Sequence, residues 1–354
     1  VWYGTGKTVF SAMMSGSTST AVFDTAGSQI GSDISGTRHC FSLTDTLISG
    51  TANLTGIFVS PSPAAYSVWF YPNGGAWTQV VDADLPTLNL TINHAHMDGY
   101  MFVMDGFGRI YNSDLNSLSS WSATGFIDAQ SMPDLGVGVA RYRNLIVAFG
   151  KYSMEFFQNA GNATGSPLSP IPNLAKRIGA YSVTTTSAGN PDITNPILAV
   201  GDNLFWCGRH ADTNLIGIYM LNGFEPKKIS TPAIDKLLGD STSSTHPPTS
   251  GTNVPHLLGS IQAHGLTHLI LKIGSSTFFA YVVETGVWWQ MSVGLNSISA
   301  AVGGYLMNTS GSPAIMVPVN DVYTDNAGAY TATIRTDMLD MGTSKRKAWK
   351  RVRL

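Results

Sequence analysis

The chain has little charge and little cysteine, and it lacks long apolar runs. Charged residues make up 12% of its 354 positions, about half the share that is usual for globular domains. Cys40 and Cys207 are the only cysteines and lie far apart, so a disulfide framework is not indicated and both are predicted to be buried thiols. No stretch approaches the roughly 18–20 apolar residues that a membrane-spanning helix needs. The sequence therefore predicts a chain without a membrane-spanning segment.

Helical periodicity is nearly absent as well. Only Thr231 to Leu238 predicts a short helix, because Pro232 follows a threonine that can cap it. What recurs instead is an aromatic, apolar strand followed by a Gly or Asn turn and a second strand. This pattern occupies residues 66–81, 100–121, 143–157, 203–230 and 268–292. Its serial recurrence predicts an all-β protein, a β-propeller-like array of antiparallel sheets with long irregular loops.

No change in composition divides the chain into independent domains. We predict an N-terminal β segment over residues 1–50, as part of an incomplete first blade, and a β-propeller body over residues 51–344. A basic C-terminal strand is predicted over residues 345–354. Residues 160–176 and 239–255 are rich in Ser, Thr, Gly and Pro, which predicts two long loops. We expect the second loop to project toward a neighbouring subunit.

One short motif has the residue types of a metal site. His94, His96 and Asp98 alternate, so on a strand they would face one side, as metal ligands must. Gly99, however, stands where the corresponding hydrolase motif has a further histidine. The alternative is a turn at Asp98-Gly99, with the two histidines at a rim or a subunit contact. No metal and no cofactor are predicted.

The acidic residues do not indicate an enzyme. Glycoside cleavage needs a pair of carboxylates in apolar surroundings, whereas the aspartates here cluster in turns, where Asp hydrogen-bonds to nearby backbone. No G-x-S-x-G motif is present. No catalytic residue is predicted. The turn aspartates are Asp82, Asp84, Asp105, Asp114, Asp134, Asp202, Asp235 and Asp240.

The tryptophans leave a different function open. A secreted carbohydrate-binding or glycoside-cleaving β-propeller would use exposed tryptophans as platforms for sugar rings. Core packing is the default for tryptophan on a strand, which favours a structural role. The residues concerned are Trp69, Trp77, Trp121, Trp288 and Trp289.

Basic residues are concentrated at the carboxyl end. The last ten positions hold six of the 20 basic residues and no acidic one, which leaves 14 basic and 22 acidic residues, a formal charge of −8, for the rest. The six could contact DNA phosphates, with Trp349 stacking on bases. The favoured alternative is that they contact an acidic neighbouring subunit or blunt a solvated edge strand. The six are Lys345, Arg346, Lys347, Lys350, Arg351 and Arg353.

Longer segments of the sequence resemble a known family. They read AYSVWFYPNGGAWTQVVDADLP (65–86), MDGYMFVMDGFGRIYNSDLNSLSSW (97–121), YRNLIVAFGKYSMEFFQNAGNATGSPLSPIP (142–172), VGDNLFWCGR (200–209) and IYMLNGFEPKKISTPAID (218–235). Over about residues 54–238 their order and spacing resemble the tail nozzle proteins of short-tailed bacteriophages. This group is also known as packaged-DNA stabilisation or tail accessory proteins.

The resemblance implies a non-enzymatic structural protein of the virion, located in the phage tail. It implies a homohexameric ring that closes the DNA exit channel and conducts double-stranded DNA during ejection. The implied partners are the tail adaptor ring and needle, spike or fibre proteins. The closing segment resembles a strand that leads into a further blade, so a longer natural protein is expected. A weakly charged surface also favours permanent subunit contacts.

Overall fold

The structure is a computed structural model, and the part of the chain that it describes is almost entirely β. Six continuous stretches of the chain are described, and elsewhere only the strands whose residue ranges are given in the next two paragraphs. The continuous stretches are residues 78–86, 89–181, 196–239, 255–263, 265–273 and 277–291.

Eight antiparallel sheets, here named A to H in chain order, follow one another in this part of the chain. Sheet A consists of β1 (Trp2–Gly4), β2 (Lys7–Met13), β3 (Ser19–Asp24) and β4 (Ile34–Ser35). Sheet B consists of β5 (Cys40–Ile48), β6 (Thr51–Pro61), β7 (Tyr66–Pro72) and β8 (Thr78–Gln79). Sheet C consists of β9 (Leu90–Met97), β10 (Tyr100–Asp105), β11 (Arg109–Ser113) and β12 (Trp121–Asp128). Sheet D consists of β13 (Gly136–Tyr142), β14 (Leu145–Gly150), β15 (Met154–Asn159) and β16 (Leu168–Pro170).

Sheet E has five strands because its first strand is divided in two. It consists of β17 (Ile178–Ala180), β18 (Ile197–Val200), β19 (Asn203–His210), β20 (Ile216–Asn222) and β21 (Glu225–Lys228), and both β17 and β18 pair with β19. The helix α1 (Pro232–Gly239) follows. Sheet F consists of β22 (Pro255–Ala263), β23 (Leu266–Ile273), β24 (Thr277–Val282) and β25 (Val287–Met291). Sheet G consists of β26 (Leu295–Ala301), β27 (Gly304–Thr309) and β28 (Met316–Val319), and sheet H of β29 (Thr324–Asp325) and β30 (Gly328–Ala329).

The chain divides into two compact units, residues 1–318 and 319–354. Within the first unit, the first strands of successive sheets contact one another: β5 with β9, β9 with β13, β13 with β18, β18 with β22, and β22 with β26. In sheets B, C, D and F the remaining strands follow outward in chain order. Inner strands side by side with later strands outside them are the arrangement of a β-propeller. The predicted fold class is confirmed.

The repeating unit is a four-stranded sheet, which is larger than the predicted two-strand hairpin. The stretch 143–157 supplies only the second and third strands of sheet D, β14 and β15. Its inner and outer strands, β13 and β16, carry no comparable aromatic pattern. The predicted boundaries at residues 50 and 344 stay a prediction.

Side chains from consecutive sheets form the core. In β10, Phe102 and Met104 pack toward sheet D, whereas Met101 and Val103 pack toward sheet B. Successive residues of a strand point to opposite faces, and both faces of this strand are buried. That is why its sequence is a continuous apolar run rather than an alternation. The same alternation in sheet E directs Trp206 toward sheet D and Cys207 toward sheet F.

Two local predictions are confirmed and one is corrected. The predicted helix is α1, with the Ile234 N–H donating to Thr231 Oγ1 at 3.4 Å. Cys207 is a fully buried free thiol whose pKa burial raises; the Cys40 side chain lies outside the described residues. The predicted loop 160–176 instead contains β16, because Leu168 is buried and pairs with Asn159. Of the second predicted loop, residues 240–254 also lie outside the described part.

Candidate functional site

The predicted basic contact residues lie outside the described part of the chain. Lys345, Arg346, Lys347, Lys350, Arg351 and Arg353 all fall in this group. Their role in contacting DNA or protein therefore stays a prediction. The candidate site has to be built from the residues that the structure places.

The histidine motif forms a hairpin. Met97 pairs with Tyr100, and the turn residues Asp98 and Gly99 have φ of 53° and 83°. Two successive residues with positive φ are typical of a type I′ turn, so the turn interpretation is confirmed. The Asp98 carboxylate accepts a hydrogen bond from Asn159 Nδ2 at 2.9 Å, which ties sheet C to sheet D. In the described part of the chain, no three His, Cys, Asp or Glu side chains are grouped so that they could hold a metal ion.

Three of the predicted turn aspartates, Asp82, Asp105 and Asp134, accept hydrogen bonds from backbone N–H groups, whereas the Asp114 and Asp235 carboxylates accept from side chains. Asp105 Oδ1 accepts from the N–H groups of Phe107 and Arg109, at 2.9 Å each, within the β10–β11 turn. Asp134 accepts from the Tyr152 N–H at 2.6 Å and from Ser153 Oγ at 3.0 Å. Hydrogen-bonded in this way, both carboxylates serve to fix turns.

The tryptophans differ in exposure. Trp121 is buried, and its Nε1 donates to the Leu118 carbonyl at 3.2 Å. Trp288 is half-buried, and its Nε1 donates to the Ile229 carbonyl at 2.7 Å. Trp289 is exposed on β25, the outer strand of sheet F. The side chains of Trp69 and Trp77 lie outside the described residues.

A close backbone contact joins sheets C and D. The Gly136 N–H donates to the Gly106 carbonyl at 3.0 Å. A Cβ atom at Gly136 would lie less than 3.0 Å from the Asp105 carbonyl oxygen and the Gly108 nitrogen. Real Cβ atoms do not approach backbone so closely, so only glycine fits here. We call the contact of Gly136 with the β10–β11 turn the C–D joint.

The same construction joins sheets D and E. A Cβ atom at Gly179 would lie less than 3.0 Å from the Gly150 carbonyl oxygen and the Tyr152 nitrogen. Lys176 and Met154 exchange two backbone hydrogen bonds of 3.0 and 2.9 Å beside this contact. We call the contact of Gly179 with the β14–β15 turn the D–E joint. In both joints the chain entering one sheet packs against the turn between the second and third strands of the preceding sheet.

Topology places both joints at the same end of the sheets. In a four-stranded antiparallel sheet, the turn between the second and third strands lies at the end where the chain passes to the next sheet. We call this surface of sheets C, D and E the turn face. It also exposes Phe107 and Leu135, at 65% and 38% of their surface.

Two cations meet at the D–E joint. The Arg209 guanidinium lies 4.7 Å from the Tyr152 ring centroid, and Lys151 Nζ lies 5.9 Å from it. Arg209 pairs with Gly179 in register. Because paired residues face the same side of a sheet, the missing side chain at Gly179 leaves room for Arg209 beside Tyr152. Arg209 is only 8% exposed, and its Nε donates to Asn214 Oδ1 at 2.5 Å.

No carboxylate compensates these two charges in the described part of the chain. Its four ion pairs are Arg109 with Asp128, Lys176 with Glu225, Arg177 with Asp212 and Lys228 with Asp235. Burial lowers the pKa of Arg209. Burial, and next the positive charge of Arg209, lower the pKa of Lys151. The D–E joint therefore carries two positive charges that no carboxylate of the described residues compensates.

The C–D joint is electrostatically different. Arg109 Nε donates to Asp128 Oδ1 at 2.7 Å, and the guanidinium lies 4.1 Å from the Phe126 ring centroid. The hydrogen bond to Asp128 raises the pKa of Arg109. A cavity of about 350 Å³ adjoins this pair, lined by Asp105, Phe107, Arg109, Asp128, Ala129 and Gln130. Its single cation is already neutralised by Asp128.

Sequence reasoning missed both cations at the D–E joint, which are 58 positions apart in the chain. A usable signal does exist. Lys151 follows the apolar second strand of sheet D, and Arg209 lies near the end of the apolar second strand of sheet E. Equivalent strand ends of adjacent sheets lie on the same face, so two basic residues there could have been paired from the repeat alone.

The comparisons with known proteins agree with this architecture. Residues 54–298, more than half of the chain, match the model of the family described as Bacteriophage P22 Gp10, beta-propeller. No curated protein matches the chain. Within the described residues, no helix is both long enough and apolar enough to cross a bilayer.

Solved structures resemble the chain in fold. The dihydro-heme d1 dehydrogenase NirN, in complex with DHE, has 15% identity and a TM-score of 0.51, and the match covers 88% of this chain and 61% of that one. The chain thus spans about three fifths of the length of that structure. A chain of the mitotic checkpoint complex has 10% identity and a TM-score of 0.47, with 88% and 84% covered. PorZ of Porphyromonas gingivalis has 10% identity and a TM-score of 0.45, with 88% and 37% covered. At these identities the likeness extends to the fold alone, and NirN's chemistry is not carried over.

Proposed function

The chain belongs to the bacteriophage P22 Gp10 β-propeller family, and from that membership we propose that it forms the tail nozzle ring of a short-tailed phage. The family makes it a phage structural protein. In the proposed role it is a homohexamer that closes the DNA exit channel and conducts the genome during ejection. It catalyses no reaction there.

The construction of the joints supports the proposal. Gly136 and Gly179 bring the backbone of one sheet directly onto a turn of the preceding sheet. Main-chain atoms have few alternative positions, so neighbouring sheets cannot slide past one another without breaking these contacts. A wall around a DNA path needs such fixed geometry.

The charges support the same role. Residues 1–344 hold 14 basic and 22 acidic residues, a formal charge of −8. Each Lys or Arg that contacts a phosphate adds counterion-release free energy, and six subunits would multiply it. A mildly acidic body therefore lets a duplex pass without binding it tightly.

The proposed partners follow from this position in the tail. The ring would contact the tail adaptor ring on one side and needle, spike or fibre proteins on the other. A weakly charged surface permits the permanent contacts, typically burying about 2,000 Å² or more, that such an assembly requires.

Native mass measurement and low-resolution imaging of the purified protein test the proposal. We expect a ring of six subunits with a central passage wide enough for a DNA duplex. A stable monomer at micromolar concentration, or a closed assembly without a passage, would contradict it.

The exposed Trp289 keeps a second candidate, a carbohydrate-binding propeller, open to test. Its ring contacts His268 edge to face at 6.2 Å, and an exposed indole can stack on a sugar. Binding on a glycan array that disappears in Trp289→Ala would favour this function. We expect no such binding, because Trp121 and Trp288 are held by backbone hydrogen bonds and Trp289 is then the one exposed indole among the described tryptophans.

A further inference from the structure

The two cations of the D–E joint lie close together without a carboxylate in the described part of the chain. Arg209 uses Nε to bind Asn214, and in that part of the chain neither of its Nη atoms makes a hydrogen bond. A buried charge that no opposite charge compensates is costly, by several kcal/mol in typical proteins. Binding sites commonly contain groups that lower the stability of the unbound fold.

The geometry of these groups suits an oxyanion. A guanidinium presents N–H donors in a fixed fork that matches the two oxygens of a carboxylate. The Lys151 ammonium adds a second positive charge next to the same Tyr152 ring. Nearby carboxylates already have other partners. Asp134 accepts from the Tyr152 N–H and the Ser153 hydroxyl, Glu155 accepts from the Ser131 N–H, and Asp212 is paired with Arg177.

The surroundings favour a protein carboxylate over a DNA phosphate. Arg209 is 8% exposed, so its guanidinium is recessed, and a side chain can enter where a rigid duplex cannot. Duplex binding also needs cations arrayed along the phosphate backbone. On the turn face, Arg109 and Arg177 are instead paired with Asp128 and Asp212. Leu135, whose carbonyl accepts from the Lys151 N–H at 2.8 Å, adds exposed apolar surface of the kind that protein contacts cover.

We propose that Lys151 and Arg209 form a binding site for the carboxylate of an acidic side chain of a neighbouring protein in the assembled tail. The neighbour is a second copy of this chain, whose residues 1–344 carry 22 acidic and 14 basic residues and so can supply the carboxylate. The site rests on the proposed function in so far as it needs an assembly. Its occupation would offset one of the two positive charges of the D–E joint, as Asp128 offsets the charge of Arg109 at the C–D joint.

Zero-length cross-linking with a carbodiimide tests the site, because the reagent joins an amine to a carboxylate only when the two are in contact. The reaction is run on the purified ring and on virions that carry the protein, and the linked peptides are sequenced by mass spectrometry. We expect Lys151 to be linked to an Asp or Glu of another polypeptide. Mixing chains of natural and 15N isotope composition before assembly shows whether a link within this sequence joins two copies. A link to a different virion protein would overturn the second copy as the occupant. Links from Lys176 to Glu225 and from Lys228 to Asp235, which form ion pairs within the chain, show that the reaction has worked.

Substitution provides the second measurement. We expect Lys151→Gln to raise the dissociation constant between the chain and its neighbour by about tenfold, which is the effect of removing one charged hydrogen bond. Lys236→Gln, which removes an exposed lysine of α1, should leave the contact unchanged. The folding of both variants is checked by urea unfolding.

Two results would overturn the inference. The first is an unlinked Lys151 in both samples while the internal control links form. The second is a Lys151→Gln variant whose duplex binding loses about one unit of salt slope, which would assign Lys151 to a phosphate. If the protein forms a ring of six and Lys151 is unlinked in both samples, the carboxylate site is refuted and the nozzle proposal stands. A missing ring refutes the nozzle, and the linkage in virions then decides the site separately.

Discussion

The C–D and D–E joints of the turn face have the same backbone arrangement but differ in charge. At both, a glycine packs onto the turn between the second and third strands of the preceding sheet. At the C–D joint, Arg109 is neutralised by Asp128. At the D–E joint, Lys151 and Arg209 have no carboxylate partner among the described residues. The glycine-to-turn packing that holds the sheets together is therefore the same at both joints. The charge that each joint presents to a neighbouring protein differs.

The largest expected effect tests the shared backbone. We expect Gly179→Ala and Gly136→Ala each to lower the free energy of unfolding by about 3 kcal/mol or more, because the new methyl group meets backbone that cannot move aside. Urea unfolding measures both. Similar losses would sharpen the comparison, and a tolerated alanine at either position would break it.

Gly201→Ala is the control for these variants. Nothing lies within 4 Å of a Cβ atom there, and φ is +56°. The substitution should therefore cost only the backbone strain of a left-handed residue, about 1 kcal/mol.

An intermediate effect is expected at Asp134, which fixes the β14–β15 turn. Asp134→Ala leaves the Tyr152 N–H and the Ser153 hydroxyl without their acceptor. We expect a loss of about 2 kcal/mol in urea unfolding, the usual cost of hydrogen bonds to a charged group. Asp202→Ala, at an exposed turn, should change stability by less than about 0.5 kcal/mol. An equal effect of the two would show that Asp134 does not hold the joint.

The smallest effects should have opposite signs at the two joints. Arg109→Met removes a partly exposed ion pair and a cation–π contact and should cost about 1 kcal/mol. Lys151→Met removes a like charge from beside Arg209. After allowance for solvent screening, it should stabilise the isolated chain by at most about 0.5 kcal/mol. A clear destabilisation by Lys151→Met would show that Lys151 has a partner within the chain.

The pH dependence of stability gives an independent check of Lys151. Its pKa in the folded chain lies below the ordinary value of 10.5, so between the two values the folded chain binds fewer protons than the unfolded chain. Stability therefore rises with pH in that window. Lys151→Met should lack this rise, which appears as the difference between the two unfolding curves.

Local chemistry made some of these features predictable. Asp98-Gly99 favours a turn by itself, and Thr231-Pro232 favours the start of a helix, so neither prediction needed tertiary information. Apolar runs such as YMFVM, bounded by turn residues, predicted the strands, whereas the burial of both faces was visible only in the structure. Strong local preferences of this kind survive in the fold because they agree with it.

Other features depend on contacts between distant residues. Gly136 and Gly179 look like ordinary glycines in strands, and only the packed neighbouring turn shows that no side chain fits. The Ser, Gly and Pro residues around Leu168 predict a loop where β16 forms, because the burial of Leu168 depends on sheet C. Lys151 and Arg209 are brought together by the order of the sheets, which no local pattern specifies.

The joints also bear on how such a protein can diverge. Since main-chain atoms and two absent side chains set the angle between adjacent sheets, the remaining surface positions are free to drift without altering that angle. A lineage could then replace nearly every outward-facing residue, and with it every partner, while inheriting the same frame.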